Sequence, residues 1–538
     1  MANIRFGLLG LLSASLLGAA DPEVLIEHES ETALRQVEEV LVPDHIRHHN
    51  GFAYTAGLKT GRAGDKEGTS ICTLLEDGNP LPHPRAQHVT IRNLGKGHYS
   101  HWTAGTLYFS ASDNSDPRTN GRRYSLVSKQ EVINHTSRGR ITRASASYRI
   151  PASSNPALSN RRLIIRNVDR NIAVVPKLSV DGWPDLTSSE GILASILKPD
   201  MSAEEKSLAI WKFLVDWRFH HYPAEQGDEV HDPVRFINVY GYGFCDDSAR
   251  NAAALAQLAG LRSRIWGLSG HVVAETFYDG GWHMFDPDHE VYYRTPAGHI
   301  ASVEELAQSP QIITKTARDP IGSDSRAIAR LYTSTKDNSV REKDIPTTHK
   351  MRTVLQPGDE LVFDFQNREK IHRTTFNDQP LPPSFGNGTL IRKLSLQDRE
   401  STKSFEWPYV ILDAELNWPA NRTEPAPRFA VSIDGETFER IPIARHGVNN
   451  QIHLADWLKS KGRAVYRFHL RITRDSAGSS LDLLPLKVDF QFAPRALPQV
   501  QPDGTRFQIQ TTAVNGRPLP STWSGLEITH EWEEPQPR

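Results

Sequence analysis

The pattern of apolar and polar positions divides the chain into two strand-like flanks and a mixed central part. Runs that alternate apolar and polar residues lie within residues 46–185 and again after residue 351, bounded by Asn, Gly, Ser, Asp and Pro. Alternation of this kind is typical of half-buried β-strands. In the first flank the predicted strands are HVTIRN, GTLYFSAS, ITRASASYRI and RRLIIRNV. The earlier segment EHESETALRQVEEVLVP is charged and predicts a helix.

The second flank predicts a β-sandwich, because its short strands are separated by turn residues at regular spacing. The predicted strands are ELVFDFQ, YVILDAELNW, FAVSIDG, VYRFHLRIT, LKVDFQF and TRFQIQTT. Between the centre and this flank, SRAIARLYT predicts a short helix. The polar stretch STKDNSVREKDIPTTHK after it indicates a linker.

Helical signals concentrate in the central part. A capping box at Ser202-Ala203-Glu204-Glu205 opens an amphipathic helix. Further on, Cys245 stands where a Gly-rich turn meets an alanine-rich segment that ends at Gly260. We therefore expect Cys245 at a helix N-terminus, where backbone N–H groups favour an anionic sulfur.

A β-hairpin is predicted directly after that helix. The strand HVVAETFY starts at His271, Asp279-Gly280-Gly281 is a strong turn signal, and WHMFD returns to end at Asp286. The hairpin brings His271 and Asp286 towards one end, although the sequence does not fix their register. A cysteine, a histidine and a carboxylate are the residue types of a nucleophile, a base and an orienting group.

The residues of this stretch carry a family resemblance. The pattern Gly-x-Cys, an alanine-rich helix, Gly-His-x-x-x-Glu and then Gly-Trp-x-x-x-Asp-Pro resembles the core of the transglutaminase-like superfamily, whose members are papain-like cysteine enzymes or their relatives. The resemblance covers residues 190–310 and implies Cys245 as nucleophile, His271 as base and Asp286 as orienter. Asp246 and Val273 depart from residues common in that family, which bears on the substrate.

These patterns together predict the fold class and the domains. We expect an α+β fold with a transglutaminase-like (papain-like) core at residues 186–320, between an N-terminal β-rich domain at 21–185 and a C-terminal β-sandwich region at 351–538. Residues 321–350 would be a linker, and residues 1–20 a secretory signal cut after Ala20. That signal predicts a secreted or periplasmic protein, and no later stretch is long and apolar enough to predict a membrane span.

Other side chains near the cysteine are candidates for substrate contacts. They are His220, His221, Tyr222, Tyr242, Trp282, Tyr292 and Arg294. The set His220, His221, His231 and Asp232 lacks a recognised zinc spacing, so we expect no metal and no other cofactor. With only Cys72 and Cys245 in the chain, a disulfide between them is the alternative to a free nucleophile.

The composition limits the classes of binding partner and substrate that we expect. The chain has 538 residues and a net charge of −2, so several domains are expected and nucleic-acid binding is not indicated. The first functional hypothesis is amide hydrolysis or acyl transfer on a protein or peptide. The second is a polysaccharide-active enzyme, such as a lyase on a uronate-containing polysaccharide, with a His or Tyr base and Arg294 as the group that neutralises the carboxylate. The third is a non-catalytic binding module.

Overall fold

The chain is described from a computed structural model, and its fold is mostly β-sheet. The structure describes residues 23–58, 72–103, 106–153, 155–221, 228–341, 347–372, 385–395, 398–420, 427–474 and 483–535. Among these residues 43% are in strands and 20% in helices. The predicted α+β fold class is therefore wrong. That prediction was drawn from the helix-containing centre, whereas the longer flanks contribute most of the secondary structure as antiparallel strands.

The described strands are numbered along the chain. The first are β1 Glu27–Val40, β2 Ile46–Asn50, β3 Ala53–Gly57, β4 Cys72–Glu76, β5 Asn79–Pro80, β6 Tyr99–Thr103, β7 Thr106–Phe109, β8 Tyr124–Ile141, β9 Ser145–Ile150, β10 Ser159–Asn167 and β11 Val174–Val180. The central ones are β12 Phe219–His220, β13 Tyr242–Gly243, β14 Arg262–Leu268, β15 His271–Tyr278, β16 Gly281–Phe285 and β17 Ser339–Arg341. The last are β18 Glu360–Asp364, β19 Gly386–Ser395, β20 Glu400–Glu406, β21 Val410–Pro419, β22 Arg428–Ser432, β23 Glu439–Ile441, β24 Ala444–His446, β25 Asn449–His453, β26 Arg467–Thr473, β27 Leu483–Phe492, β28 Thr505–Ala513 and β29 Leu526–Pro535.

The described helices are fewer and cluster in the centre. They are α1 His88–Asn93, α2 Ser189–Ile196, α3 Ala203–Trp217, α4 Pro233–Arg235, α5 Cys245–Leu258, α6 Val303–Gln308, α7 Ser325–Thr333 and α8 Ala455–Ser460. A π-helical turn spans Phe236–Tyr240, and 3-10 turns span Pro43–His45, Asp228–His231, Pro310–Lys315, Thr335–Asp337 and Pro494–Ala496.

The chain divides into two compact units. One contains residues 1–28, 137–154 and 160–531, and the other residues 29–136, 155–159 and 532–538. In the first unit, β24-β25-β21-β27-β19-β18-β10-β29 run side by side, and the smaller sheets have the orders β11-β28-β9, β20-β26-β22-β23 and β16-β15-β14-β17. In the second, β2-β3-β7-β6 form one sheet, and β8 pairs with β4 and β1. The expected boundary at residue 185 does not coincide with a unit boundary.

Two segments have the opposite secondary structure to the one predicted. EHESETALRQVEEV is β1, a strand paired with β8 and exposed along most of its length. Pairing with β8 outweighs the local helical pattern, because tertiary context routinely overrides propensity. HVTIRN is α1, in which Ile91 is buried while Val89 is exposed. A half-buried strand would bury both residues, which lie two positions apart.

The stretch expected as a linker, residues 321–350, contains ordered structure. Helix α7 coincides with SRAIARLYT, which confirms the predicted helix, and buries Ile328, Ala329 and Tyr332. Strand β17 pairs with β14 through Val340 opposite Trp266. Part of this stretch therefore belongs to the same sheet as the predicted hairpin.

The candidate residues His271 and Asp286 belong to the four-stranded antiparallel sheet β16-β15-β14-β17: His271 opens β15, and Asp286 directly follows β16. Helix α5 packs on β14 and β15. The small side chains Ala249, Ala253 and Ala256 are buried in that contact region, where they allow the helix to approach closely. No described helix reaches the length and apolarity that crossing a bilayer would require. The predicted signal segment lies outside the described residues.

Candidate active site

The turn before α5 places Cys245 at the first residue of the helix, which confirms the predicted position. Gly243 is needed there, because a Cβ at this position would lie 2.5 Å from the Phe236 ring and 2.9 Å from Asp247 Oδ2. The Phe244 N–H donates to Asp247 Oδ2 at 3.1 Å, which fixes the first turn. Cys245 is 8% exposed. Cys72 and Cys245 are not joined by a disulfide, so the disulfide alternative is wrong.

The hairpin has the predicted turn, and the structure supplies its register. Asp279 and Gly280 both have positive φ angles and form the two-residue loop between Tyr278 and Gly281. Both φ values are positive in the type I′ turn that suits tight hairpins. Ala274 pairs with Phe285, so His271 and Asp286 lie at the end of the sheet opposite the turn.

At that end, His271 and Asp286 are directly hydrogen-bonded. His271 Nε2 donates to Asp286 Oδ2 at 2.7 Å, and both side chains are buried. Asp286 Oδ1 accepts the backbone N–H groups of Asp288 at 3.0 Å and His289 at 3.1 Å. Burial raises the pKa of Asp286, but the charge and hydrogen bond of His271 outweigh it and hold that pKa below its usual value. The carboxylate is thus held ionised and fixed in orientation.

His271 also faces Cys245. A nitrogen of the His271 ring lies within 4.8 Å of the Cys245 sulfur. Since Nε2 is engaged by Asp286, Nδ1 is the ring nitrogen that remains available for the sulfur. Burial lowers the pKa of His271, but Asp286 and Cys245 outweigh this effect and raise the pKa well above its ordinary value. The imidazolium form is therefore favoured between the carboxylate and the sulfur.

Acidic side chains beside Cys245 are neutralised by cationic groups. His231 Nε2 lies 3.3 Å from Asp246 and 3.5 Å from Asp247, and Arg250 contacts Asp246 at 2.9 Å. Burial lowers the pKa of His231, but its hydrogen bonds to the two aspartates outweigh burial and raise it. Asp246 and Asp247, whose negative charges would disfavour a thiolate at Cys245, are thus paired with His231 and Arg250.

A second group of charged side chains was not identified from the sequence. Arg218, which is buried, donates to the Pro287 carbonyl and lies 3.3 Å from Asp288 Oδ1. Its other terminal nitrogen contacts the Gly243 carbonyl at 3.5 Å. His220 Nδ1 donates to the same Asp288 oxygen at 2.8 Å. Arg218 therefore connects the turn before Cys245 to the turn after Asp286.

A second histidine–carboxylate pair lies beside the first. His289 Nδ1 donates to Asp319 Oδ2 at 2.5 Å. The His289 ring meets the His271 ring edge to face, with centroids 4.6 Å apart. His289 thus limits the orientations open to His271. The run Asp-Pro-Asp-His after β16 marks Asp288 and His289, but their distant partners leave no local pattern.

Three of the predicted substrate residues lie near Cys245. His220 pairs in register with Gly243, in a short parallel ladder between β12 and β13. The His221 ring meets the buried Tyr242 ring edge to face at 5.9 Å. Of these side chains, that of His220 is the most open to solvent, with 53% of it exposed. Tyr222 lies outside the described residues.

The other three predicted substrate residues make contacts with further side chains, and their assignment stays a prediction. Trp282 lies next to the hairpin turn, opposite Phe277, and stacks under Arg264 at 4.0 Å. Tyr292 packs against Trp211. Arg294 is paired with Glu204 at 2.6 Å. In the described part of the chain these contacts are with residues other than Cys245 and His271, and the uronate lyase hypothesis, which uses Arg294, stays a prediction.

The histidines first considered for a metal are also kept apart by their contacts. Asp232 caps α4 by accepting the Val234 N–H at 2.9 Å, while His220 and His231 contact different carboxylates. A cavity of about 580 Å³ lies between β10, β11 and β18, lined among others by Trp183, Asn238 and Tyr409. Cys245, His271 and Asp286 are not among the residues that line this cavity.

No family model matches this sequence, and the search of curated proteins likewise found no match.

Proposed function

We propose that this protein is a cysteine-dependent enzyme that cleaves or transfers acyl groups at amide bonds. The observation that carries the proposal is the buried chain Asp286–His271–Cys245, in which the 2.7 Å carboxylate–imidazole bond leaves one ring nitrogen for the sulfur. A nucleophile, a base and an orienting group in mutual reach form the working unit of covalent amide chemistry.

Each side chain has a defined step in this proposal. The Cys245 thiolate attacks the carbonyl carbon while His271 is an imidazolium held by Asp286. His271 then gives its proton to the leaving amine, and a thioester remains on the sulfur. Water or a second amine attacks the thioester, with His271 as the base, and releases the acid or the new amide.

The developing oxyanion requires preorganised donors. The N–H of Cys245 is one of the first N–H groups of α5, which have no partner inside the helix. Donors of this kind stabilise the tetrahedral intermediate by an amount worth about 10²–10³ in rate. The N-terminal end of the helix dipole favours the negative charge in the same direction.

The motif resemblance supports the proposal only locally. It concerns residues 243–287, where the Gly-x-Cys turn and the hairpin agree with the pattern of transglutaminase-like enzymes. The β-rich fold of the whole chain gives no additional support to the proposed amide chemistry. Neither water nor an amine is favoured as acceptor by any contact described here.

A substrate panel with matched variants tests the proposal. Purified protein is incubated with peptide amides and with a primary amine, and acid and amide products are measured. We expect Cys245→Ala to lower kcat by at least about 10³-fold, since it removes the nucleophile, and His271→Asn by about 10²–10⁴-fold. Cys72→Ser and His299→Asn are the controls, because His299 is an exposed histidine that pairs with Glu305. Turnover that survives Cys245→Ala would contradict the proposal.

A further inference from the structure

Three potential metal ligands of different types converge at the candidate active site. One ligand atom each from Cys245, His271 and Asp288 lies within 4.8 Å of the other two, and all three residues are buried. Sulfur, imidazole and carboxylate are the ligands that Zn²⁺ takes in proteins. Around a tetrahedral zinc such atoms stand about 3.3–3.7 Å apart, so the three side chains would need to close by only about 1 Å.

The free atoms of these side chains point to a ligand. His271 Nε2 is used by Asp286, which leaves Nδ1 for coordination. Both contacts of the Asp288 carboxylate, to His220 and to Arg218, are made by Oδ1. The second carboxylate oxygen, Oδ2, takes part in neither of these contacts, and Asp288 is 2% exposed.

The surrounding contacts match the outer shell of a metal site. Metal-binding histidines usually donate their second ring N–H to a carboxylate, as His271 does to Asp286. Ligating carboxylates are themselves held by hydrogen bonds, as Asp288 is by His220. These contacts fix the ring and the carboxylate within 4.8 Å of the Cys245 sulfur.

Two other clusters of this kind are less suited to a cation. In the cluster of His271, Asp286 and His289, the first two are already hydrogen-bonded to each other through Nε2 and Oδ2. In the cluster of His231, Asp246 and Asp247, Arg250 contacts Asp246, as Arg218 contacts Asp288 in the cluster with Cys245. Asp247 additionally accepts the Phe244 N–H. Among the three clusters found in the described residues, the one with Cys245 is the only one that includes a sulfur ligand, which a thiophilic cation prefers.

We propose that Cys245, His271 and Asp288 bind a thiophilic divalent cation, Zn²⁺, which reversibly blocks the nucleophile. Sulfur binds as the thiolate and His271 as the neutral imidazole, so one proton leaves the Cys245–His271 pair for solvent as the ion enters. The fourth position is open to water. Binding does not rest on the proposed amide chemistry, whereas the block of turnover does.

Cobalt substitution tests the site without a substrate. Protein freed of metal by a chelator is titrated with Co²⁺, and the thiolate-to-cobalt charge-transfer absorption is followed, with Zn²⁺ displacing it. We expect the band in the unaltered chain and in Cys72→Ser. It should be absent in Cys245→Ser, and Asp288→Ala should weaken Co²⁺ binding by more than the 10–100-fold typical of an outer-shell loss. Circular dichroism melts confirm that the variants are folded.

The outcomes separate the site from the function. A band that is missing from the unaltered chain, that survives Cys245→Ser or that disappears in Cys72→Ser overturns the metal site. Unchanged affinity in Asp288→Ala overturns the assignment of the third ligand. Amide turnover that stops with Zn²⁺ and returns with chelator supports the block; turnover unaffected by saturating Zn²⁺ overturns it. A cobalt band in a protein without any turnover leaves the site standing and removes the proposed function instead.

Discussion

At the scale of single residues, the proposed chemistry depends on Asp286, which holds the His271 ring in place. Its carboxylate accepts from His271 and from two backbone N–H groups, and it is fully buried. Cys245, His271 and Asp286 were identified from sequence, because a Gly-x-Cys turn and a Gly-containing hairpin leave local patterns. Asp288 was not, because its partner Arg218 lies far back in the chain.

The pH dependence of turnover tests the role of Asp286. The raised pKa of His271 keeps the imidazolium form to higher pH, and the form is lost as pH rises through that pKa. Asp286→Asn removes the charge that raises it, so the pKa of His271 falls. We expect the alkaline limb of the kcat/KM profile to move to lower pH, with kcat/KM reduced by about 10²-fold or more. The control is Glu305→Gln beside the exposed His299; an alkaline limb unmoved in Asp286→Asn would contradict the role.

At the scale of elements, the sheet β16-β15-β14-β17 is held by a buried ion pair behind the catalytic candidates. Glu275 accepts from Arg264 and Trp266 at 2.6 Å each, and from the Val303 N–H at 2.7 Å. Burial raises the pKa of Glu275 despite these donors. The glutamate of the Gly-His-x-x-x-Glu pattern therefore joins β14, β15 and the start of α6. Glu275 therefore has a structural role in this motif.

Removal of Glu275 should destabilise the fold strongly. Glu275→Ala leaves the Arg264 guanidinium buried and unpaired, which costs about 3–5 kcal/mol in the free energy of unfolding. Glu204→Ala is the matched control, since it breaks the exposed pair with Arg294 and should cost less than about 1 kcal/mol. Urea unfolding followed by circular dichroism measures both. Equal losses in the two variants would show that Glu275 does not hold the sheet.

Element prediction succeeded where the signal was local. Helix α5 and the hairpin β15–β16 follow from an Ala-rich run and an Asp-Gly turn, and α7 from its apolar spacing. The segments of β1 and α1 were assigned wrongly, because their structure depends on neighbours distant in sequence. β1 is set by pairing with β8, and α1 is a six-residue helix that buries only Ile91.

At the scale of the whole molecule, segments on both sides of the centre pair with one another. β9 pairs with β28, and β10 pairs with β18. The fold class was wrong because such long-range pairing leaves no trace in a local window. The centre also contacts the later strands: the Ala493 N–H donates to the Asn238 carbonyl at 2.8 Å, and Arg235 stacks on Tyr466 at 4.6 Å.

A fragment of the centre alone should therefore fail to fold. We expect residues 186–341 expressed by themselves to show no cooperative urea transition, because the partners of Asn238 and Arg235 are missing and apolar surface is left exposed. The full chain should unfold cooperatively in the same buffer. A sharp transition in the fragment, together with His271-dependent labelling of Cys245, would mean that the centre is an independent domain.

The most direct test of the central claim is the rate of alkylation of Cys245 by iodoacetamide at neutral pH, followed by peptide mass spectrometry. We predict that His271→Ala slows the labelling of Cys245 by at least about 10-fold, because the thiolate loses its imidazolium partner. Labelling of the buried Cys72 serves as the internal reference and should not change between the two proteins. Equal rates at Cys245 with and without His271 would contradict the account.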